Sequence, residues 1–200
     1  MAKTVDYYFS PMSPWTYLGH ARFAEMAKRH GAAINVKPVD FGKVFPVSGG
    51  LPLAKRAPQR QAYRMVELRR FRDFLNVPLN LRPKFFPLPA DLAAQFITAA
   101  GRAGGSDAAM RLAGAVLRAC WAEERDIADI GTLSEICEEQ GMNAGQLAAA
   151  AQSGAVKAEY EGNTEEAMAR NVFGAPSYVI DGEIFWGQDR LEFVERALAG

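Results

Sequence analysis

Residues 6–19 read DYYFSPMSPWTYLG, and this stretch decides how the whole chain is interpreted. Its aromatic beginning continues a β-prone run and predicts a first strand over residues 5–9. Pro14 suits the first position of a helix, where its missing N–H costs nothing, and Ser13 before it is a candidate N-cap. Residues 34–40 then predict a second strand. The β-α-β order implies a parallel pair of strands joined by a right-handed crossover.

Strand-forming residues return only near the carboxyl end. Residues 177–180 and 183–186 flank Asp181-Gly182, a pair that favours a hairpin turn. The chain between the two ends has helical patterns and irregular stretches, including a loop predicted over the proline- and glycine-rich residues 43–58. Strands at both ends therefore predict an α/β fold that is interrupted by a large helical insertion.

This interpretation divides the chain into two parts. Residues 1–42 and 154–200 are predicted to form one discontinuous α/β domain, and residues 43–153 an all-helical insertion. Four helices are predicted within the insertion. They cover residues 58–76, a segment from a cap at Asp91 to Gly104-Gly105, a segment from Ser106 or Asp107 to about Glu124, and a segment that begins with a capping box at Thr132.

The charge of the chain is balanced overall but unevenly distributed. Its 200 residues hold 23 basic and 23 acidic side chains, and a net charge of zero argues against a nucleic-acid binder. Residues 43–84, however, hold 10 basic and 2 acidic residues, a net charge of +8. Residues 85–200 hold 8 basic and 18 acidic residues, a net charge of −10. The positive segment therefore predicts attraction for an anionic ligand.

Other features limit the location and the chemistry. No apolar run approaches the roughly 20 residues that a membrane span requires, and the amino terminus lacks the pattern of a signal peptide, so a cytoplasmic protein is expected. Cys120 and Cys137 lie 17 residues apart inside helical patterns, which indicates two buried reduced thiols. No cluster has metal-ligand spacing, and no metal is expected.

Two places in the sequence have the residue types of a binding site. At Ser13, the first turn of a helix offers unpaired N–H groups and a partial positive charge, which together stabilise an anion or a thiolate. An ordinary N-cap serine remains an alternative. The second place is Ala175-Pro176 before a strand, where both the cis and the trans peptide bond remain open. Asp189 beyond it either caps a helix or holds a ligand amine.

Together these places resemble the active site of the thioredoxin fold, in the DsbA branch with its helical insertion. The helix start of that branch reads C-P-x-C, and here Ser13 and Thr16 replace both cysteines. Because dithiol exchange requires a thiolate nucleophile, this chain cannot perform that reaction here.

A narrower resemblance covers the whole chain. Residues 6–19 are similar to the beginning of the 2-hydroxychromene-2-carboxylate isomerases and of the related kappa-class glutathione transferases. The loop GGLPLAKRAP at residues 49–58 resembles the segment before the first inserted helix of that family. VFGAPS at residues 172–177 and WGQDRL at residues 186–191 resemble its glutathione motifs.

The resemblance implies a role for each matching residue. Ser13 would be the catalytic serine that donates a hydrogen bond to the sulfur of glutathione, the expected cofactor. Ala175, before a cis Pro176, would pair its backbone with the cysteinyl unit as an added strand does. The γ-glutamyl end would be held by Trp186, Gly187, Gln188 and Asp189.

The function implied is glutathione-dependent isomerisation. The thiolate would add reversibly to 2-hydroxychromene-2-carboxylate or a related acid of aromatic catabolism, and rotation would lead to trans-o-hydroxybenzylidenepyruvate. One alternative is a kappa-type glutathione transferase or peroxidase. Another is a non-catalytic binder of glutathione or a peptide.

The aromatic carboxylate substrate is expected to contact four residues. Trp15 and Tyr17 follow the serine and either line its pocket or belong to the core. Lys43 and Lys55 lie in predicted loops of the positive segment, whereas the arginines of residues 64–72 are interpreted as a solvated helix face. A homodimer is expected, because large apolar helices in an insertion often pair about a two-fold axis.

Overall fold

Strands from the two ends of the chain meet in one sheet. A computed structural model describes residues 3–200, and its strands lie in the spatial order β2-β1-β3-β4. The first two strands are parallel, and β3 is antiparallel to both β1 and β4. This topology confirms the predicted β-α-β unit and the carboxyl-terminal hairpin. The strands are β1 (Thr4–Phe9), β2 (Ala33–Pro38), β3 (Ser177–Ile180) and β4 (Glu183–Trp186).

Helices make up most of the remaining chain. Two short 3-10 helices, Leu53–Lys55 and Gln188–Arg190, accompany them. The predicted domain boundaries at residues 42 and 153 stay a prediction, and residue 1 lies outside the described part of the chain. The α-helices within residues 3–200 are α1 (Pro14–Arg29), α2 (Phe41–Ser48), α3 (Pro58–Leu75), α4 (Asp91–Trp121), α5 (Ile130–Glu139), α6 (Ala144–Ala151), α7 (Gly154–Ala169) and α8 (Leu191–Ala199).

The predicted loop over residues 43–58 is wrong in its first part, because α2 extends to Ser48. Asp40 caps this helix with a side-chain oxygen that accepts a 2.8 Å hydrogen bond from the Gly42 amide. Phe41 and Val44 are buried against the face of the sheet that α7 covers. Their burial offsets the interior proline, Pro46, which removes a helical hydrogen bond.

The break predicted at Gly104-Gly105 is present, because Gly105 has a φ of 76° and divides α4 into two helical parts. Two predicted helix starts, however, differ from the structure. Ala90, not Asp91, stands at the N-cap position of α4. The capping box at Thr132 is wrong, because the Asp129 carboxylate accepts the Thr132 amide at 2.7 Å and begins α5 earlier.

The main core lies on the face of the sheet that α1 and α4 cover. Tyr7 stacks between Phe9 and Tyr178 with ring centroids 4.6 and 5.4 Å away, and Phe23 of α1 packs against both tyrosines. Tyr8, the next residue of β1, faces the other side, as the alternation of a strand requires. No helix within residues 3–200 is both long enough and apolar enough to cross a membrane.

His20 joins three elements inside this core. Its Nε2 lies 3.0 Å from the Met110 carbonyl oxygen of α4, and its Nδ1 lies 3.2 Å from the Tyr7 hydroxyl of β1. Because a carbonyl only accepts, the neutral ring carries its proton on Nε2 and accepts from the phenol at Nδ1. Burial lowers the pKa of His20 from 6.5 to about 4. His20 is therefore a neutral core residue.

This histidine predicts a pH dependence of stability. Between pH 6.5 and about 4 the unfolded chain binds a proton at His20 that the folded chain does not, so the free energy of unfolding falls as the pH falls, by roughly 3 kcal/mol in full. His20→Gln is expected to abolish the part of this decrease in the free energy of unfolding that is due to His20, as measured by urea unfolding at pH 7 and 4.5. His30→Gln, at a less buried site, serves as the control. Equal losses in the wild type and His20→Gln would contradict the assignment.

Candidate functional site

Three connections converge at one end of the sheet. Strand β1 runs toward Ser13, and its antiparallel partner β3 begins just after Ala175-Pro176. The register sets Tyr8 opposite Ser177, and Ser177 in turn opposite Trp186 of β4. The sheet thus brings the Ser13 turn, the Pro176 turn and the end of β4 to the same end of the sheet, as the sequence interpretation requires.

Ser13 has the geometry of a hydrogen-bond donor at a helix start. Its amide donates to the Ser10 carbonyl at 3.0 Å, and its Oγ accepts from the Thr16 amide at 3.2 Å. An oxygen that accepts this capping bond keeps its own hydrogen for a ligand. The side chain is partly exposed, and the first turn of α1 holds no acidic residue. The partial positive charge of the helix end is therefore not neutralised locally.

The Ala175–Pro176 peptide bond is cis, the isomer that the family resemblance implied. The Pro176 carbonyl accepts from the Gly187 amide at 2.9 Å, which ties this turn to the end of β4. The buried Ser177 hydroxyl donates to the Gly174 carbonyl at 2.7 Å and closes the turn from within. Ala175 itself stays partly exposed, so its backbone lies within reach of an extended ligand.

The four residues after β3 that were expected at the γ-glutamyl end have different environments. Trp186 is half exposed and lies over Gly174, where a Cβ would stand 2.3 Å from the indole nitrogen. Asp189 is 43% exposed and pairs with its neighbour Arg190 at 2.5 Å. Gly187 has a φ of 101°, a conformation that side chains rarely adopt.

Gln188 is placed differently from the other three, because it is buried. Its Oε1 accepts from Arg22 of α1 at 3.0 Å, and its Nε2 has no hydrogen-bond partner within residues 3–200. Gln188 can approach α1 this closely because residue 19 is a glycine, since a Cβ at Gly19 would lie 2.7 Å from the Cβ of Gln188. The Gln188 side chain thus fixes the loop against α1, and Asp189 is the exposed polar side chain of the set.

The expected substrate residues do not form one group. Trp15 meets Phe71 of α3 edge-on at 6.0 Å, and Tyr17 donates to the Pro78 carbonyl at 2.6 Å, so both half-buried rings join α1 to the insertion. Lys43 lies on α2 rather than in a loop, with Nζ 3.7 Å from the Glu161 carboxylate of α7. Lys55 lies exposed in a short 3-10 helix.

No cysteine supplies a thiolate at this site. Thr16 stands one turn into α1, fully buried, with no hydrogen-bond partner for its hydroxyl within the described residues. Cys120 and Cys137 are buried and unpaired, as predicted. Burial, with a nearby carboxylate, raises the pKa of Cys120 to about 12 and that of Cys137 to about 11. Neither cysteine is therefore a thiolate nucleophile near neutral pH.

One residue that the sequence interpretation missed is Arg64. It was grouped with a solvated helix face, but its guanidinium lies 5.4 Å from the Phe86 ring and 6.0 Å from the Trp121 ring. The spacing of Leu68 and Phe71, at four and seven residues beyond Arg64, places it on the inward stripe of α3, which could have been read from the sequence.

Comparisons with known proteins agree with this architecture. The family model described as DSBA-like thioredoxin domain matches residues 4–199. A 2-hydroxychromene-2-carboxylate isomerase of Sphingobium xenophagum is 32% identical over 99% of both chains. One of Pseudomonas putida is 27% identical over 97% of this chain and 93% of its own. A solved structure of such an isomerase superposes with a TM-score of 0.82 at 25% identity, covering 98% of this chain and 94% of that one.

The contact between Gly19 and Gln188 predicts the effect of one methyl group. Gly19→Ala is expected to lower the free energy of unfolding by about 1–3 kcal/mol, because the Cβ meets the Cβ and the backbone of Gln188 and both elements must separate. Gly162→Ala on α7 is the matched control, since its Cβ meets nothing within 4 Å. The free energy of unfolding of Gly162→Ala, measured with urea, should be about 0.5–1 kcal/mol higher than that of the wild type. If both alanines stabilise alike, the close packing is wrong.

Proposed function

This chain belongs to the 2-hydroxychromene-2-carboxylate isomerase family of DSBA-like thioredoxin proteins, and we propose that it catalyses the reaction of that family. The reaction interconverts 2-hydroxychromene-2-carboxylate and trans-o-hydroxybenzylidenepyruvate, or a related acid of aromatic catabolism, with glutathione as cofactor. The observation that carries the proposal is the Ser13 hydroxyl, which is free to donate at the start of α1.

The residues at this end of the sheet fit glutathione. A thiolate is stabilised by a hydroxyl donor and by the amides of a helix start, and Ser13 offers both. An extended peptide pairs with a partly exposed backbone beside a strand, which Ala175 provides. An α-ammonium group pairs with a carboxylate. The exposed Asp189 can form this pair if the ammonium group replaces Arg190 as its partner.

Glutathione held by Ser13, Ala175 and Asp189 would supply a sulfur nucleophile, whose addition to a conjugated carbon of the substrate and later elimination from it would allow rotation about the intervening single bond. Ser13 favours the charged form of that sulfur by donating a hydrogen bond, which lowers the pKa of the thiol. Its hydroxyl forms no covalent bond, unlike that of a hydrolase serine. Trp15 and Tyr17 form the aromatic wall between α1 and the insertion, against which we place the ring of the substrate.

The proposal includes the surroundings in which the enzyme works. We place it in the cytoplasm, where glutathione is kept reduced. Its partners are a small aromatic carboxylate and a second copy of the chain. The balanced total charge argues against binding to nucleic acid.

The pairing of two copies is proposed through an exposed stripe of α3. Tyr63, Glu67, Arg70 and Phe74 follow at intervals of four, three and four residues, the spacing of a two-helix seam. Tyr63 is 54% exposed and Phe74 82% exposed. If α3 packs antiparallel against its own copy, Tyr63 of each copy lies opposite Phe74 of the other, and Glu67 opposite Arg70. The stripe is thus complementary to itself, as a two-fold interface requires.

A comparison of two N-cap serines tests the proposed role of Ser13. Ser153 caps α7 with the same bond, accepting from the Val156 amide at 3.3 Å. Alanine at either position is expected to cost about 1 kcal/mol of stability. Ser13→Ala alone should raise the thiol pKa of bound glutathione, read from thiolate absorbance, and lower kcat/KM for isomerisation by about 100-fold. Equal activity and thiol pKa in the two variants would refute the role of Ser13.

The dimer predicts a sedimentation result. Phe74→Asp places a charge in the stripe, so the variant should sediment as a monomer at concentrations at which the wild type sediments as a dimer. Phe193→Asp, at a phenylalanine 50% exposed on α8, is the control and should remain dimeric. A monomeric wild type, or a dimeric Phe74→Asp, would show that this stripe does not join two copies.

A further inference from the structure

We propose that Arg64 is the residue that binds the carboxylate of the substrate and so makes the enzyme selective for acids. The inference rests on the proposed function and assigns a recognition role within the inserted helices. Its basis is an aromatic cluster formed by Arg64, Phe86 and Trp121, called the Arg64 cluster below. The rings of Phe86 and Trp121 lie 4.9 Å apart, and the guanidinium lies within 6.0 Å of both.

Within residues 3–200, the positive charge of Arg64 has no acidic partner. Its one side-chain hydrogen bond within residues 3–200 is a 3.9 Å contact to the sulfur of Met65. Burial and the charge of Arg56 lower the pKa of Arg64 to about 10, and the two ring contacts supply no anion. A half-buried guanidinium with five donors and no carboxylate is costly unless a ligand supplies the anion.

Three other basic residues of the region are engaged elsewhere. Lys43 pairs with Glu161, and Arg72 pairs with Asp73 at 2.8 Å. Arg56 donates its Nε to the Leu51 carbonyl at 2.8 Å and acts on Arg64 through its charge. Arg64 is therefore the basic side chain of α3 that combines partial burial with unused donors.

The Arg64 cluster also holds a second donor without an acceptor. The indole N–H of the fully buried Trp121 has no hydrogen-bond partner among the residues that the structure describes. Donors thus exceed acceptors in the cluster. A planar aromatic acid supplies an acceptor, because its ring packs on the partly exposed Phe86 while its carboxylate accepts two parallel bonds from the guanidinium.

The cluster shares its walls with the start of α1. Phe71, two helical turns beyond Arg64, meets Trp15 next to the serine turn. The backbone carbonyl of Trp121 accepts a 2.7 Å hydrogen bond from the Asn80 amide, and the Tyr17 hydroxyl donates to the carbonyl of Pro78 in the same loop. A substrate that lies between α1 and the insertion is therefore bordered by Ser13 on one side and by the Arg64 cluster on the other.

The test compares an acid with its uncharged amide. The full-length protein is titrated calorimetrically with o-coumarate, a stable aromatic acid, and with o-coumaramide. Arg64→Gln is expected to weaken o-coumarate binding about 10- to 100-fold and to leave amide binding unchanged, because only the acid uses the guanidinium. Arg69→Gln, at an exposed arginine of the same helix, should bind both probes as the wild type does.

Arg64→Lys provides a second variant should Arg64→Gln fail to fold. It keeps the charge but lacks the planar fork, so it should still weaken acid binding severalfold. The proposal is overturned if the wild type does not bind o-coumarate, if both Arg64 variants bind it as tightly as the wild type, or if acid and amide weaken equally.

The outcome is separable from that of the proposed function. A wild type that binds o-coumarate through Arg64 yet does not isomerise 2-hydroxychromene-2-carboxylate overturns the function alone. An active isomerase whose KM is unchanged by Arg64→Gln overturns the role of Arg64 alone.

Discussion

The antiparallel register of β1 and β3 sets Tyr8 opposite Ser177, and the geometry of the candidate site depends on it. A shift of one residue would turn Tyr7 out of its stack with Phe9 and Tyr178 and would separate Ser13 from the Pro176 turn. The aromatic core therefore fixes more than stability. It sets which two turns meet at one end of the sheet, and with them the place of the proposed thiol ligand.

Local signals in the sequence were sufficient for the elements around the site. Pro14 after Ser13 and the Asp181-Gly182 pair each specify one local geometry, and the structure has both elements where they predict them. Helix α2 was missed because Pro46, Gly49 and Gly50 indicate a loop, while its real stabilisation is the burial of Phe41 and Val44 by α7, more than a hundred residues later. Such tertiary contacts leave no trace in a local window.

The sequence predicts the site residues whose chemistry follows from their residue type. It predicts less well the side chains whose position depends on tertiary packing. Ser13 and Asp189 could be chosen from their positions at helix starts, but the burial of Gln188 depends on the close approach of Gly19 on another element. Among the ten basic residues of the segment 43–84, composition indicated an anion but not which side chain would meet it. Lys43 is paired with Glu161, whereas Arg64 lies beside two aromatic rings and has no acidic partner among the described residues.

Two features of the molecule favour anionic ligands. A helix start without local acid and a half-buried arginine stand on two sides of the aromatic wall between the sheet domain and the insertion. Both favour anions, and the proposed cofactor and substrate are both anionic. The most direct measurement is the rate at which the purified chain isomerises 2-hydroxychromene-2-carboxylate with and without glutathione. The account predicts turnover that requires glutathione and saturates with it, and equal rates in both conditions would contradict it.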